Sequence, residues 1–269
     1  MTMRIRKWLM LNALLVAGCA SSVYPRPGDT APAKGWAVEV DASLLALSAN
    51  EAWTLDPSGK ERKFRGVGGN IDEAGGPMPT IVPETIGRFG LTDRLEVAAI
   101  AGPLRLAGET RFGLLAERRQ NAISAAIAFA GGYQPFLGRV GPWLRGGIDI
   151  SRQTKTLLVM TNLYVTYGSE AHAFVLNLPP RPEDALTTDG SPQHAQVTRR
   201  ELRFLPSLAI GAPLDAGYVM IGIVPWFVVR AWAPDRMSCD GCLSGYRVTD
   251  FQESFGASLV VGGAFRRGY

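Results

Sequence analysis

Two short constellations in this chain hold residue types that could do chemistry. Glu170-Ala171-His172 sets a carboxylate and an imidazole two residues apart, on one face of an extended segment, where the acid could orient the ring for general acid–base work. Cys239-Asp240-Gly241-Cys242 sets two thiols close enough to close a small disulfide loop in an oxidising compartment. Zinc would want about four ligands, and His172 and His194 lie far away in sequence, so a disulfide or free thiols are expected ahead of a metal. Neither histidine stands beside a serine at strand-face spacing, and Gly66-Val67-Gly68-Gly69 lacks the preceding strand and following helix of a phosphate loop. The expectation is a chain with no catalytic residue, no metal and no cofactor.

A larger set of charges recurs at every second position of apolar stretches: Glu39, Asp41, Glu84, Arg88, Glu96, Glu109, Arg111, Glu117, Arg145, Asp149, Glu201, Arg203 and Arg230. Side chains two apart share one face of a strand, so this set reads as the inner face of a barrel. Acids and arginines there would pair across a narrow lumen. Barrels of about eight strands are filled by their own side chains, and only those of 16 or more leave a wide aqueous channel. The pairing therefore reads as a structural plug, with a narrow gated pore as the alternative.

The elements that must position these charges are strands. From Trp36 onward the chain alternates, with Val38, Val40, Ala42 and Leu44 set against Glu39, Asp41 and Ser43. Similar segments of about ten residues, the length a tilted strand needs to cross a bilayer, fall near 80–89, 95–103, 108–117, 122–132, 140–150, 157–167, 200–212, 218–232 and 252–265. The connections alternate too. Tight ones occur at 90–94, 117–120, 152–156 and 214–217; longer ones lie near 49–79, 133–139, 168–199 and 233–250, with a shorter one near 103–107. Short turns on one side and long loops on the other are the habit of transmembrane barrels, whose short turns are periplasmic. The predicted fold is all-β: one antiparallel up-and-down transmembrane β-barrel of about ten strands over 36–269. Trp36, Phe89, Tyr133, Tyr167, Tyr218, Trp232 and Phe265 fall near strand ends, as interfacial girdles require. Segment 218–232 is apolar on nearly both faces, which leaves room for a second reading: a soluble, lipid-anchored β-barrel binding an apolar ligand.

Ahead of the barrel, Arg4, Arg6 and Lys7 precede an apolar run over 8–17 that ends on small residues, the order of a secretory signal over 1–18. Residues 19–35, rich in Pro, Ser, Ala and Gly, read as a flexible periplasmic tether. The chain carries 28 Lys plus Arg against 24 Asp plus Glu. Three of those cations lie in the signal, so the basic balance gives no reason to expect nucleic acid as a partner.

Val16-Ala17-Gly18-Cys19 resembles the bacterial lipobox. That resemblance implies acylation of Cys19, palmitate included, cleavage before it, and a lipid anchor at the N-terminus on the periplasmic side. "RFGLTDRLEV" and the final "SFGASLVVGGAF" resemble the bacterial outer-membrane β-barrel proteins over roughly 36–265, which implies residence in the outer membrane with its lipids as partners. Glu170-Ala171-His172 superficially resembles the acid-x-His pair of the ten-stranded omptin proteases, but the second acidic pair is not evident; Asp72-Glu73 is a poor substitute. The sequence thus points to a non-enzymatic barrel whose outer loops, 49–79, 168–199 and 233–250, would meet an extracellular ligand the sequence does not name.

Overall fold

The computed structural model describes residues 24–55, 58–67, 78–102, 105–115, 123–133, 141–176, 193–240 and 247–267. The described chain is built of eleven antiparallel strands: β1 Trp36–Leu55, β2 Glu61–Val67, β3 Met78–Gly90, β4 Leu95–Gly102, β5 Arg105–Leu115, β6 Ile123–Tyr133, β7 Pro142–Gln153, β8 Leu158–Leu176, β9 Gln193–Leu214, β10 Gly217–Asp240 and β11 Arg247–Arg267. From β3 to β11 each pairs with the next in order, β1 pairs with β3, and β11 returns to β1, so that the sheet closes. Ten strands form the wall. β2 stands outside the ring: β1 pairs with β3 from Trp36 to Ala46 and with β2 from Ala49 to Leu55. The expected loop 49–79 thus contains a hairpin.

Alternation decides which side chains face lipid. On β1, Val38 and Val40 point outward while Glu39, Asp41 and Ser43 are buried. Leu106, Phe112, Phe129, Leu144, Ile148, Leu163, Val165, Leu208, Ile210, Val219, Ile221 and Ile223 continue the outward apolar band around the girth. In water such a band would be a large aggregation-prone patch; facing acyl chains it is the lipid surface of a transmembrane barrel. This rules out the soluble cup. The double-sided segment of β10 has a plain explanation: Val219, Ile221 and Ile223 face lipid, while Tyr218, Met220, Val224 and Trp226 fill the lumen.

The girdles follow at both ends, with Trp36 packed on Phe265 at 5.7 Å and Tyr167 edge-on to Trp232 at 5.5 Å. Tyr218 departs from that expectation. It faces inward, and its hydroxyl donates to Glu39 at 3.2 Å, because its strand parity is inward.

The wall is uneven. The described turns at 91–94, 154–157 and 215–216 are short and share one end with Trp36. At the opposite end β4, β5, β6 and β7 stop after 8, 11, 11 and 12 residues, whereas β1 and β8–β11 run for 19 to 24. About ten residues cross a bilayer. One half of the rim is therefore low, and the other rises well beyond the membrane. The expected loops 168–199 and 233–250 are in large part this raised ladder, which pairs Leu176 with Gln193 and Asp240 with His194.

Residues 24–32, expected as part of a flexible tether, run inside the barrel, and Ala33 and Lys34 emerge at its end. Tyr24, Arg26, Thr30 and Ala31 are buried. At the short-turn end Gly35 N donates to the Pro32 carbonyl at 2.8 Å, with Lys34 in the left-handed region at φ 64°, and this turn reverses the chain into β1. Gly90 is required beside it, since a Cβ there would stand 2.0 Å from the Pro32 carbonyl oxygen.

Candidate functional site

The lower lumen is a cage of ion pairs built around the N-terminal segment. Arg88 of β3 donates through Nε and Nη2 to both oxygens of Glu96 on β4, at 2.7 and 2.8 Å, and reaches Glu39 on β1. Arg105 grips Glu84 with two bonds of 2.7 Å and lies 4.4 Å over the Trp143 ring. Arg111 on β5 bridges Glu96 and Asp149, each at 3.0 Å. Arg145 on β7 pairs with Glu109 and stacks 4.6 Å from the Tyr164 ring. Two-pronged guanidinium–carboxylate pairs are the strongest hydrogen-bonded pairs available. They offset the cost of burial only where geometry is good and the remaining donors are occupied.

On Arg88 and Arg111 the N-terminal segment occupies those remaining donors, whereas Arg105 Nη1 and Arg145 Nε and Nη1 are buried without a hydrogen-bond partner. Arg88 Nη2 and Arg111 Nη1 donate to the Asp29 carbonyl, and Arg111 Nη2 to that of Pro27. Gly28 N donates to Ser151 Oγ at 2.8 Å, and Ala31 N to Glu96 at 2.6 Å. Asn162 on β8 accepts from Arg26 N at 3.2 Å and donates to the Arg26 carbonyl at 2.8 Å, which takes the place of a strand neighbour. The Arg26 guanidinium pairs with Glu109 and lies within 4 Å of Glu39 and Glu84. Among the described residues of this region, Glu39, Asp41, Glu84, Glu96, Glu109 and Asp149 face Arg88, Arg105, Arg111 and Arg145 from the wall, while Arg266 of β11 pairs with Asp29 of the segment at 2.8 Å, so Arg26 adds a cation to a wall in which acids outnumber arginines. Gly28 is the one residue type that fits its place: a Cβ would come within 2.3 Å of the Ser124 carbonyl oxygen and 2.9 Å of that of Asp149.

Above this cage an apolar ring holds Tyr24 in one cluster with Ile86, Ile100, Trp143, Tyr164, Leu205, Val224 and Trp226. Higher still, inside the raised rim, Arg203 pairs with Glu201 at 2.7 Å and Glu253 at 2.6 Å and stands 4.0 Å from Glu170. Arg199 reaches across β10 to Asp250 at 3.3 Å and to the Phe251 carbonyl.

Of the lumen charges anticipated from sequence, Glu39, Asp41, Glu84, Arg88, Glu96, Glu109, Arg111, Arg145, Asp149, Glu201 and Arg203 are buried inside the barrel. Arg230 is not. The β9–β10 register slips between Val228 and Arg230, which turns Arg230 outward, 5.0 Å over the Trp232 ring. A similar slip between Ala49 and Asn50 turns Glu253 inward, against the parity counted back from Phe265. Arg105, Asn162, Tyr164 and Arg26 were not anticipated; the only sequence signal for Arg105 is a charge at the edge of a short connection. Glu170 turns to Arg203, while His172 is placed by backbone pairing with Val197, and His194 by pairing with Val175 and Asp240. Cys239 pairs by backbone with Ala195. Cys242, Glu117, Asp72, Glu73 and Cys19 lie outside the described residues.

No family model matches the chain, and no characterised protein matches its sequence. Among solved structures it is similar to the outer membrane protease OmpT from Escherichia coli, at 8% identity and a TM-score of 0.41, covering 88% of this chain and 97% of that one. It is also similar to Ail, the attachment invasion locus protein of Yersinia pestis, alone and in complex with the heparin analogue sucrose octasulfate. Both Ail structures give 7% identity and a TM-score of 0.27, covering 87% of this chain and 99% of that one. By its own strand ladder and apolar girth, the chain has the closed antiparallel barrel fold of outer-membrane proteins.

Proposed function

We propose that this chain is a non-enzymatic outer-membrane lipoprotein, acylated at Cys19, whose barrel is a closed scaffold and whose raised rim binds at the cell surface. The short turns face the periplasm, and β8–β11 with the β1–β2 hairpin stand outside the cell. The observation that carries this reading is the filled lumen: ion pairs and the N-terminal segment occupy the space through which a solute would pass. What the molecule offers to a partner is then the one-sided wall above it. Rigid scaffolds commonly carry recognition on such outer segments.

Purified full-length protein in planar lipid bilayers tests the closed scaffold, and silence is the expected result. Steady, ion-selective openings that change on Arg145→Ala would replace this reading with that of a narrow pore. A cysteine at Lys60, exposed at the tip of the β1–β2 hairpin, tests the orientation: a membrane-impermeant thiol reagent should reach it in intact cells.

A further inference from the structure

The N-terminal segment has a direction as well as a place. Its turn lies at the short-turn end, where Lys34 N donates to the Gly90 carbonyl at 2.9 Å. Ala31 meets Glu96, the second residue of β4, still close to that end. Gly28 meets Ser151, two residues before β7 finishes there. Arg26 shares Glu84 with Arg105, at 3.8 and 2.6 Å, and Arg105 is the first residue of β5, at the opposite rim. Tyr24 packs in the same cluster as Trp143, the second residue of β7, at that same rim. Read towards the N-terminus, the chain climbs the lumen from the short-turn end to the low side of the outer mouth.

We propose that the residues preceding Tyr24 leave the barrel at its outer mouth, over the low rim of β4–β7, so that the mature N-terminus is displayed outside the cell. Acyl groups on Cys19 then enter the outer leaflet. This rests on the reading of the barrel as spanning the outer membrane with its short turns in the periplasm. Chain length decides between the two leaflets. Cys19 is five residues from Tyr24, a reach of roughly 17 Å fully extended. That is enough to pass a rim at the level of Arg105. The way back to the short-turn end is the eight-residue run from Tyr24 to Pro32, after which the chain would still have to pass under the wall to reach lipid. Five residues cannot cover it, so a lumen-threaded segment and a periplasmic anchor exclude each other.

The test uses full-length chains with Cys239 and Cys242 replaced by serine, each carrying one new cysteine, treated with a membrane-impermeant maleimide on intact and on permeabilised cells. Ser22→Cys is expected to label in intact cells to the same extent as Lys60→Cys, while Asp93→Cys in the short turn labels only after permeabilisation. Ser21→Cys serves as a second probe should the first variant fail to assemble. If the Ser22 probe behaves like the Asp93 probe, or labels in neither condition, the outward route is wrong while the orientation stands. A Lys60 probe that is protected in intact cells would bring down the proposed orientation in the membrane, and the outward route with it.

Discussion

Arg26→Met removes the guanidinium of the N-terminal segment while keeping most of its apolar stem. In the folded protein that guanidinium pairs with Glu109 and lies 3.9 Å from Glu39 and 3.8 Å from Glu84. Removing one partner of a buried ion pair costs about 3–5 kcal/mol, because the other charge stays buried. Here each carboxylate keeps a second guanidinium: Glu109 has Arg145, Glu39 has Arg88 and Glu84 has Arg105. The loss should therefore fall at the lower end, about 3 kcal/mol. With a slope of about 2–3 kcal/mol per M urea, the unfolding midpoint should drop by about 1–1.5 M. Urea titration in detergent micelles, followed by tryptophan fluorescence, measures it, since Trp143 and Trp226 both line the lumen. A double-mutant cycle with Glu109→Gln should give a coupling of about 1–3 kcal/mol. A midpoint unchanged to within about 0.2 M, together with additive effects, would mean that Arg26 does not sit among these carboxylates.

Other consequences are open to measurement. Gly28→Val should expel the segment, since even a Cβ would meet the Ser124 carbonyl oxygen at 2.3 Å; residues 24–31 should then become sensitive to added protease while the barrel stays heat-modifiable on a gel. Phe129→Arg, on the lipid face at 64% exposure, should cost about 2–4 kcal/mol if that site lies near the bilayer midplane, read as a lower folding yield into vesicles. Gly262→Leu should block assembly, because a Cβ there would stand 1.8 Å from Asp41 Oδ1; recovery of the heat-modifiable form in the double variant with Asp41→Ala would show that the clash is the cause.

The strands were legible because alternation is a local property: Glu39 and Asp41 against Val38 and Val40 show it within five residues. Inward charges followed from the same parity wherever the ladder was regular. They failed at Arg230 and did not include Glu253, each beyond a bulge that shifts parity by one and leaves no mark in composition. The N-terminal segment was misjudged for a different reason. Its Pro, Gly and Ala content suits a solvated linker, and its order comes from Glu109, Asn162, Ser151 and Glu96, between 65 and 136 residues away in sequence. The β1–β2 hairpin was hidden because Glu61–Val67 carries charge on both faces, as a strand standing clear of lipid can.

The low rim has a consequence for the lipids around it. β4 offers eight residues, roughly 27 Å of strand, and a tilt near 40° leaves about 20 Å along the membrane normal. The apolar band of outer-membrane barrels is about 25 Å tall, so the bilayer beside β4 must thin by several ångströms, whereas beside β9 and β10 it need not thin at all. Mismatch of this kind costs fractions of a kcal/mol per ångström. The deficit is confined to β4, since the 11 or 12 residues of β5, β6 and β7 give roughly 28–31 Å along the normal at the same tilt, and a narrow patch of compressed acyl chains beside β4 becomes part of the protein's local environment.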